Sequence, residues 1–270
     1  MLPPDHLNKA NIMSRPFGYS GLFSPKQLHY AFYRNTLPEA KFCLGNYESY
    51  FGKRANRVMD LQCGPGLSTV AFSSEAPETI GVDSEPDMVS YAKSLNPDNK
   101  ITWICDHPLT MSKQRDIDLL FFSLDSYAYL LSDEDELLFW SNMNMLLSKQ
   151  GMAVIEINNS SNIGYIDYST VYNAPKSLFA DYQLRVEWGI NDPKTDLITG
   201  VCSTEIRFTE SDDQNIKSWT VLSPERYHWP RDINLILQLS GFKTIRFCGD
   251  YDSSYLEPTS PRVVFIAVRR

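Results

Sequence analysis

Three aspartates each close a short apolar run: Asp60 in "RVMDLQ", Asp83 in "TIGVD" and Asp106 in "ITWICD". Behind the first comes "CGPG", where Gly64 and Gly66 let the backbone turn sharply and approach a ligand with no side chain between. If the three runs are neighbouring strands, their acids converge at one edge of a sheet, where open α/β folds bind ligands. Asp83 can there accept hydrogen bonds from both hydroxyls of a ribose, and Asp106 can meet the exocyclic amine of a purine. The rival chemistry is a dinucleotide cradle, G-x-G-x-x-G, which needs a third glycine to close on a pyrophosphate. Counted from Gly64 that place is Thr69, which suits a nucleoside ligand without a pyrophosphate better.

Such acids need a parallel sheet to hold them, and the chain supplies its signature. Strand-like runs "RVMDLQ", "TIGVD", "ITWICD", "DIDLLFFSL" and "MAVIEIN" alternate with helix-like "LSTVAFSSEA", "EPDMVSYAKSLN" and "SDEDELLFWSNMNMLLSKQG". Ser132 reads as the N-cap of the last helix, with acids in its first turn and Gly151 as its stop. From about residue 160 the rhythm changes to β-branched and aromatic segments, "QLRVEWGI", "GVCSTEIRFTE" and "IKSWTVLSPERYHW", with turn-forming "NDPKTD" and "SDDQN" between them. Helical "RDINLILQLSGF" and strands "KTIRFCGD" and "RVVFIAVRR" end the chain. The expected organisation is an N-terminal helical cap over 1–55, a core over 56–158, an inserted antiparallel sheet over 159–222, and a helix with the last two core strands over 223–270.

The 270 residues carry a net charge of -8 and no basic run, which disfavours nucleic acid as a partner. No stretch has the length of a bilayer span, and the polar N-terminus lacks a signal-peptide core. Five scattered cysteines without CxxC spacing and four dispersed histidines predict reduced thiols, no metal site and a cytoplasmic protein.

These motifs resemble, in order, those of class I S-adenosylmethionine-dependent methyltransferases, over roughly residues 25–270. "DLQCGPG" is similar to the family's D-L-G-C-G-x-G, "GVDSEPDMVSYAK" to its second motif, "ICDHP" to its third and "DIDLLFFSLDSYAYLL" to its fourth. "LLSKQGMAVIEI" is similar to the segment entering the fifth strand. "WGINDPKTDLITG" and "SPERYHWPRDINLILQLSGFKTIRFCGDY" resemble the inserted sheet and final helix of glycine and amino-sugar N-methyltransferases. The resemblance implies a Rossmann-like seven-stranded α/β sheet with helices on both faces and an inserted antiparallel sheet as substrate lid. It implies S-adenosyl-L-methionine as cofactor and a small-molecule acceptor, with an amine nitrogen first and a hydroxyl oxygen second. The implied cofactor residues are Tyr30, Asp60, Gln62, Cys63, Gly64, Gly66, Asp83, Ser84, Met88, Asp106, His107, Leu124 and Ser126. Tyr127, Tyr129 and His228 are the implied catalytic candidates, and Tyr33, Glu156 and Trp188 those for substrate. Packing roles compete with each of these aromatic and histidine assignments.

Gln62 departs from the pattern, standing where the family has its first glycine. A side chain there costs little at negative φ and about 1–2 kcal/mol at positive φ. Its amide could also reach the cofactor's carboxylate or ribose. The departure leaves a non-enzyme alternative open, a binding or scaffold module of the same fold.

Overall fold

The computed structural model describes residues 17–97, 100–111, 116–159, 169–172, 179, 182–190, 194–211 and 215–270. Residues 1–16 of the expected cap, and most of the turns expected in "NDPKTD" and "SDDQN", lie outside the described residues. The main sheet has seven strands. Its parallel part comprises β1 (Arg57–Leu61), β2 (Glu78–Asp83), β3 (Ile101–Cys105), β4 (Ile117–Phe122) and β5 (Leu147–Asn158). The chain returns after a second sheet to add β11 (Phe242–Cys248) and β12 (Arg262–Arg269), giving the order β11-β12-β5-β4-β1-β2-β3. β12 runs antiparallel to β5, and β11 antiparallel to β12.

Alternation along the central strands builds two cores. Val58, Leu119 and Phe121 face one side with Cys43 and Tyr47 of α2 (Leu37–Phe51) and Phe72 of α3 (Leu67–Ser73). Met59, Leu61, Leu120 and Phe122 face the other with Phe139, Trp140 and Met143 of α5 (Asp133–Leu146) and Ile233 and Leu237 of α6 (Pro230–Leu239). Between them in sequence lies α4 (Pro86–Leu95), which seats Met88 and Ala92 in the interior.

The second sheet is antiparallel and five-stranded: β6 (Ser169–Tyr172), β7 (Gln183–Trp188), β8 (Lys194–Thr195), β9 (Val201–Ser211) and β10 (Ile216–Arg226). β10 runs four residues beyond the boundary expected at 222. Leu184, Val186, Ile206 and Phe208 pack with Phe23 and with Leu28 and Tyr30 of α1 (Pro25–Ala31), whose start is held by a capping box between Ser24 and Gln27. This third core joins the N-terminal segment to the second sheet.

Ser132 caps α5, its hydroxyl accepting from the Asp135 amide, with four acids in the first turn. The helix stops at Leu146, not at Gly151. Leu147 is already extended and pairs with Ile117, and the register shifts before Met152 meets Leu119. Gly151 sits inside that irregularity, where a Cβ would lie 2.6 Å from Leu147 Cβ. Its lack of a side chain allows the strand to double closely on itself rather than ending a helix. Among the described residues no helix is long and apolar enough to cross a membrane, and no group of three or more side chains could hold a metal ion.

Candidate functional site

The carboxyl ends of β1, β2, β3 and β4 form one edge, and the loop after β1 lies along it. The Cys63 amide donates to the Val82 carbonyl at 2.9 Å, which pins this loop to β2. Gly66, at φ 86°, begins α3 and lies under Trp103, whose ring would be 2.5 Å from an added Cβ. Asp83 is enclosed at the end of β2 and accepts the Gly64 amide at 2.9 Å and the Glu85 amide at 3.0 Å. Asp60 is equally enclosed and accepts the Thr69 hydroxyl at 2.6 Å. Asp106 follows β3, half-buried, and accepts the His107 amide at 2.9 Å.

Burial drives the electrostatics here. Asp60 is pushed up to about 7 by desolvation, with the neighbouring Asp83 charge adding and the Thr69 hydrogen bond opposing. Asp83 is pushed up to about 6 by the same desolvation, its amide and hydroxyl donors holding it partly down. Among the described residues neither forms an ion pair with a lysine or arginine. Two buried carboxylates side by side, supported by neutral donors alone, suit a ligand that brings its own donors.

Such a donor is already present. Ser20 Oγ donates to Asp83 at 2.8 Å, a chain hydroxyl where a sugar hydroxyl would donate. This chemistry of an enclosed acceptor set filled by an alcohol fits a ribose. The Ser20 hydroxyl arrives on the segment Phe17–Ser20, which crosses the strand ends. Phe17 is fully buried, its ring 5.0 Å from His107 edge-on and 6.4 Å from Phe122 in a stacked pair. Burial of such a ring contributes about 1.5–3 kcal/mol. Gln62 adopts φ 54°, the left-handed conformation that carries the penalty above. Its amide nitrogen donates to the Phe17 carbonyl at 3.0 Å and to Ser84 Oγ at 3.1 Å, and its oxygen accepts the Ser84 amide at 3.0 Å. Beside Asp60 and the loop after β1 a small cavity of about 20 Å³, room for about one water, is lined by Arg34, Thr36, Asp60, Cys63, Ser68 and Leu124 among others.

Beyond β4 the chain makes two left-handed residues in succession, Leu124 and Asp125, each at φ 54°. They turn Ser126–Tyr129 into a short 3-10 turn between the first edge and the second sheet. Its two tyrosines diverge. Tyr127 is fully buried toward α5, where its hydroxyl donates to Glu136 at 2.6 Å and accepts from Trp140 at 2.8 Å. His228 stands with it, 3.4 Å from Glu136 and 4.7 Å from the Tyr127 ring, and Arg226 reaches Glu136 at 3.2 Å. Tyr127 and His228 therefore bind the end of β10 to α5 instead of meeting in the crevice. Tyr129 turns the other way, to Ser223 Oγ at 2.9 Å and Glu225 at 3.4 Å, with the Phe17 and Tyr19 rings about its own.

Glu225 also accepts the Ser223 hydroxyl at 3.0 Å, and burial raises its carboxyl above the ordinary range. Asp125 accepts from the Asn158 amide at 2.8 Å and side chain at 2.5 Å; burial first, then the Glu225 charge, pushes it well up. The Trp188 ring stands 5.7 Å from Tyr19, whose own ring lies edge-on to Tyr129. Tyr30 packs on Phe179 and Tyr182, Tyr33 is largely exposed, and Met88 is buried beneath α1. Glu156, at the end of β5, is held by Tyr251 at 2.8 Å and Arg262 at 3.1 Å, on the α2 side of the sheet. Ser84, Ser126, Cys63 and His107 all lie along the Phe17–Ser20 segment or the loop beneath it. Sequence reading missed Phe17, Ser20, Asp125, Ser223 and Glu225. The signal was faint: Ser223 and Glu225 share one face of a strand by their i, i+2 spacing.

No family model matches the chain. A relative from Geobacillus sp. (strain WCH70), named "Putative methyltransferase GWCH70_2453", is 20% identical over 226 residues, covering 82% of this chain and 87% of its own. Among solved structures, an S-adenosylmethionine-dependent methyltransferase from Clostridium acetobutylicum ATCC 824 superposes with a TM-score of 0.72 at 18% identity, covering 90% of this chain and 95% of that one. DesVI from Streptomyces venezuelae superposes at 0.71 with 15% identity, covering 98% and 100%. CalS10, an amino pentose methyltransferase from Micromonospora echinaspora, superposes at 0.69 with 14% identity, covering 91% and 96%. The fold is that of these Rossmann-like methyltransferases, with the seven strands and the added antiparallel sheet that the sequence predicted.

Proposed function

We propose that this protein transfers a methyl group from S-adenosyl-L-methionine to an amine nitrogen of a small molecule. The observation that carries the reading is Asp83: a fully buried carboxylate at the end of β2, with no cation among the described residues, already accepting a hydroxyl. Asp83 would hold the ribose hydroxyls and Asp106 the adenine amine, with the Gly64–Gly66 backbone, Leu124 and Ser126 bordering the methionine part. When bound, the sulfonium supplies an electrophilic methyl and a good leaving group.

The acceptor side falls to Tyr129, Ser223 and Glu225, with Trp188 beyond Tyr19. An amine reaches the site largely as an ammonium. An ammonium entering beside Glu225 and Asp125 would offset the burial that raises their carboxyls and favour their ionised forms, and the aromatic rings beside them favour a cation over their faces. Glu225 is suited to take the proton that the nitrogen must lose before its lone pair can attack, because its carboxyl lies above the usual carboxylate range. The second sheet and α1 would close the acceptor side to water, which leaves alignment as the principal contribution to rate.

One specific observation favours a second reading, binding without transfer: the Phe17–Ser20 segment fills the crevice and Gln62 holds it there. A single experiment separates the two. Purified protein is incubated with cofactor bearing a trideuteromethyl group and a panel of amine, phenol and carboxylate acceptors, and products are weighed by mass spectrometry. Label on amines is expected. Label confined to hydroxyls or carboxylates removes the amine assignment, and cofactor binding without any labelled product favours the scaffold.

A further inference from the structure

We propose that Phe17–Ser20 is a plug that imitates part of the cofactor, and that Gln62 is kept in the glycine loop to fasten it. The inference rests on the reading of the crevice given above and concerns how that crevice is regulated. Beside its packing on Tyr129 and Trp188, the segment makes three contacts that each engage a group the cofactor would need. Ser20 Oγ occupies the Asp83 carboxylate at 2.8 Å, in the role of a ribose hydroxyl. The Phe17 ring takes the flat apolar space between His107 and Phe122, at 5.0 and 6.4 Å, as a purine ring would. The Gln62 amide grips the Phe17 carbonyl at 3.0 Å while its other contacts anchor it to Ser84.

Gly18 permits the close fit. It lies at φ 65°, and a Cβ there would come within 3.2 Å of Ser126 Oγ and 3.4 Å of the Gln62 amide nitrogen. A glycine in the loop, in place of Gln62, would offer no side chain to hold the segment. The departure at Gln62 thus has a task that local strain alone does not explain: it links β1, β2 and the N-terminal segment in one polar chain. Cofactor and segment cannot both use Asp83 in this way, so binding requires the segment to leave. Affinity is then lowered by the fraction of molecules in the open state.

The test uses the full-length chain and S-adenosylhomocysteine, by isothermal calorimetry on wild type, Gln62→Gly and Ser20→Ala. Gln62→Gly is expected to bind about tenfold tighter than wild type and Ser20→Ala several-fold tighter. Hydrogen exchange at residues 17–20 should speed up when the ligand is added to wild type. Equal or weaker binding by both variants, or slower exchange at 17–20 on binding, overturns the plug while leaving the crevice as a ligand site. No binding by any of the three chains overturns the crevice reading and the plug with it. Ser20→Ala removes a single hydroxyl and keeps the test decisive if Gln62→Gly fails to fold.

Discussion

Two sets of enclosed carboxylates differ in what answers them, while Asp118, near the start of β4 and away from the crevice, is held by the Asn56 and Arg57 backbone amides. Where β10 meets α5, Glu136 is answered by Arg226 at 3.2 Å, with Tyr127 and His228 completing its contacts. Where β5 meets the last hairpin, Glu156 is answered by Arg262 at 3.1 Å. Along the crevice Asp60, Asp83, Asp125 and Glu225 have hydroxyl and amide donors and no described cation. A carboxylate taken out of water without a cation stays costly. A fold that supplies arginines at its joints has the means to neutralise these too, yet leaves them bare. Joints want charge cancelled in place; a binding site keeps it for what arrives.

Removing the cation from a joint should have the largest effect. Arg226→Met leaves Glu136 buried with Tyr127 and His228 but without its guanidinium, an expected loss of about 3–5 kcal/mol in urea denaturation. A loss under about 1 kcal/mol would mean that Glu136 is not held by charge, and the contrast between joint and crevice would fail.

The crevice should show the opposite sign. The Asp60 carboxyl has an ordinary value of 3.8 and is pushed up to about 7 in the fold. The folded state therefore binds more protons than the unfolded one between those values, and stability falls as pH rises from about 4 to about 7. Below pH 4 both states are protonated and the penalty vanishes. Asp83 acts in the same direction up to about 6. Asp60→Asn should be equal to wild type near pH 4 and more stable at pH 8. The gain there should reach up to about 4 kcal/mol, because each tenfold change in proton affinity is worth about 1.4 kcal/mol. Denaturation curves that run parallel for both proteins across this range would show that Asp60 bears no such penalty.

How much of this contrast could be read from sequence differs by region. Strand ends were legible, because apolar runs of five or six residues with alternating helices define a parallel sheet, and an acid closing each run must lie at its carboxyl edge. The second sheet was legible from its β-branched composition. The divergence of Tyr127 and Tyr129 was not: two residues apart in a 3-10 turn, they point to α5 and to β10, and only the packed neighbours decide which. Gln62 was legible as a departure but not as a clasp, since its partner Phe17 lies 45 residues away. The end of α5 was misjudged because Gly151 looks like a helix stop, whereas pairing of Leu147 with Ile117 ends the helix earlier.

The smallest effect, and the one that most sharpens the distinction, belongs to Glu225. Glutamine in its place keeps an oxygen to accept from Ser223 and Tyr129, so the melting temperature should change by no more than about one degree, unlike Arg226→Met. It removes a charge that has no cation among the described residues, so no basic side chain loses its partner. What should change is the acceptor: KM for an amine rises roughly five- to tenfold, about 1 kcal/mol, while S-adenosylhomocysteine affinity stays as in wild type. The pH profile gives the more telling readout. Glu225 titrates above the usual carboxylate range, so wild-type kcat/KM for the amine should rise with pH through that raised value, and the rise should be missing in Glu225→Gln. If the variant keeps the rise, another group carries the proton; if it melts several degrees lower, Glu225 belongs with Glu136 as a joint, and bare charge ceases to mark the site.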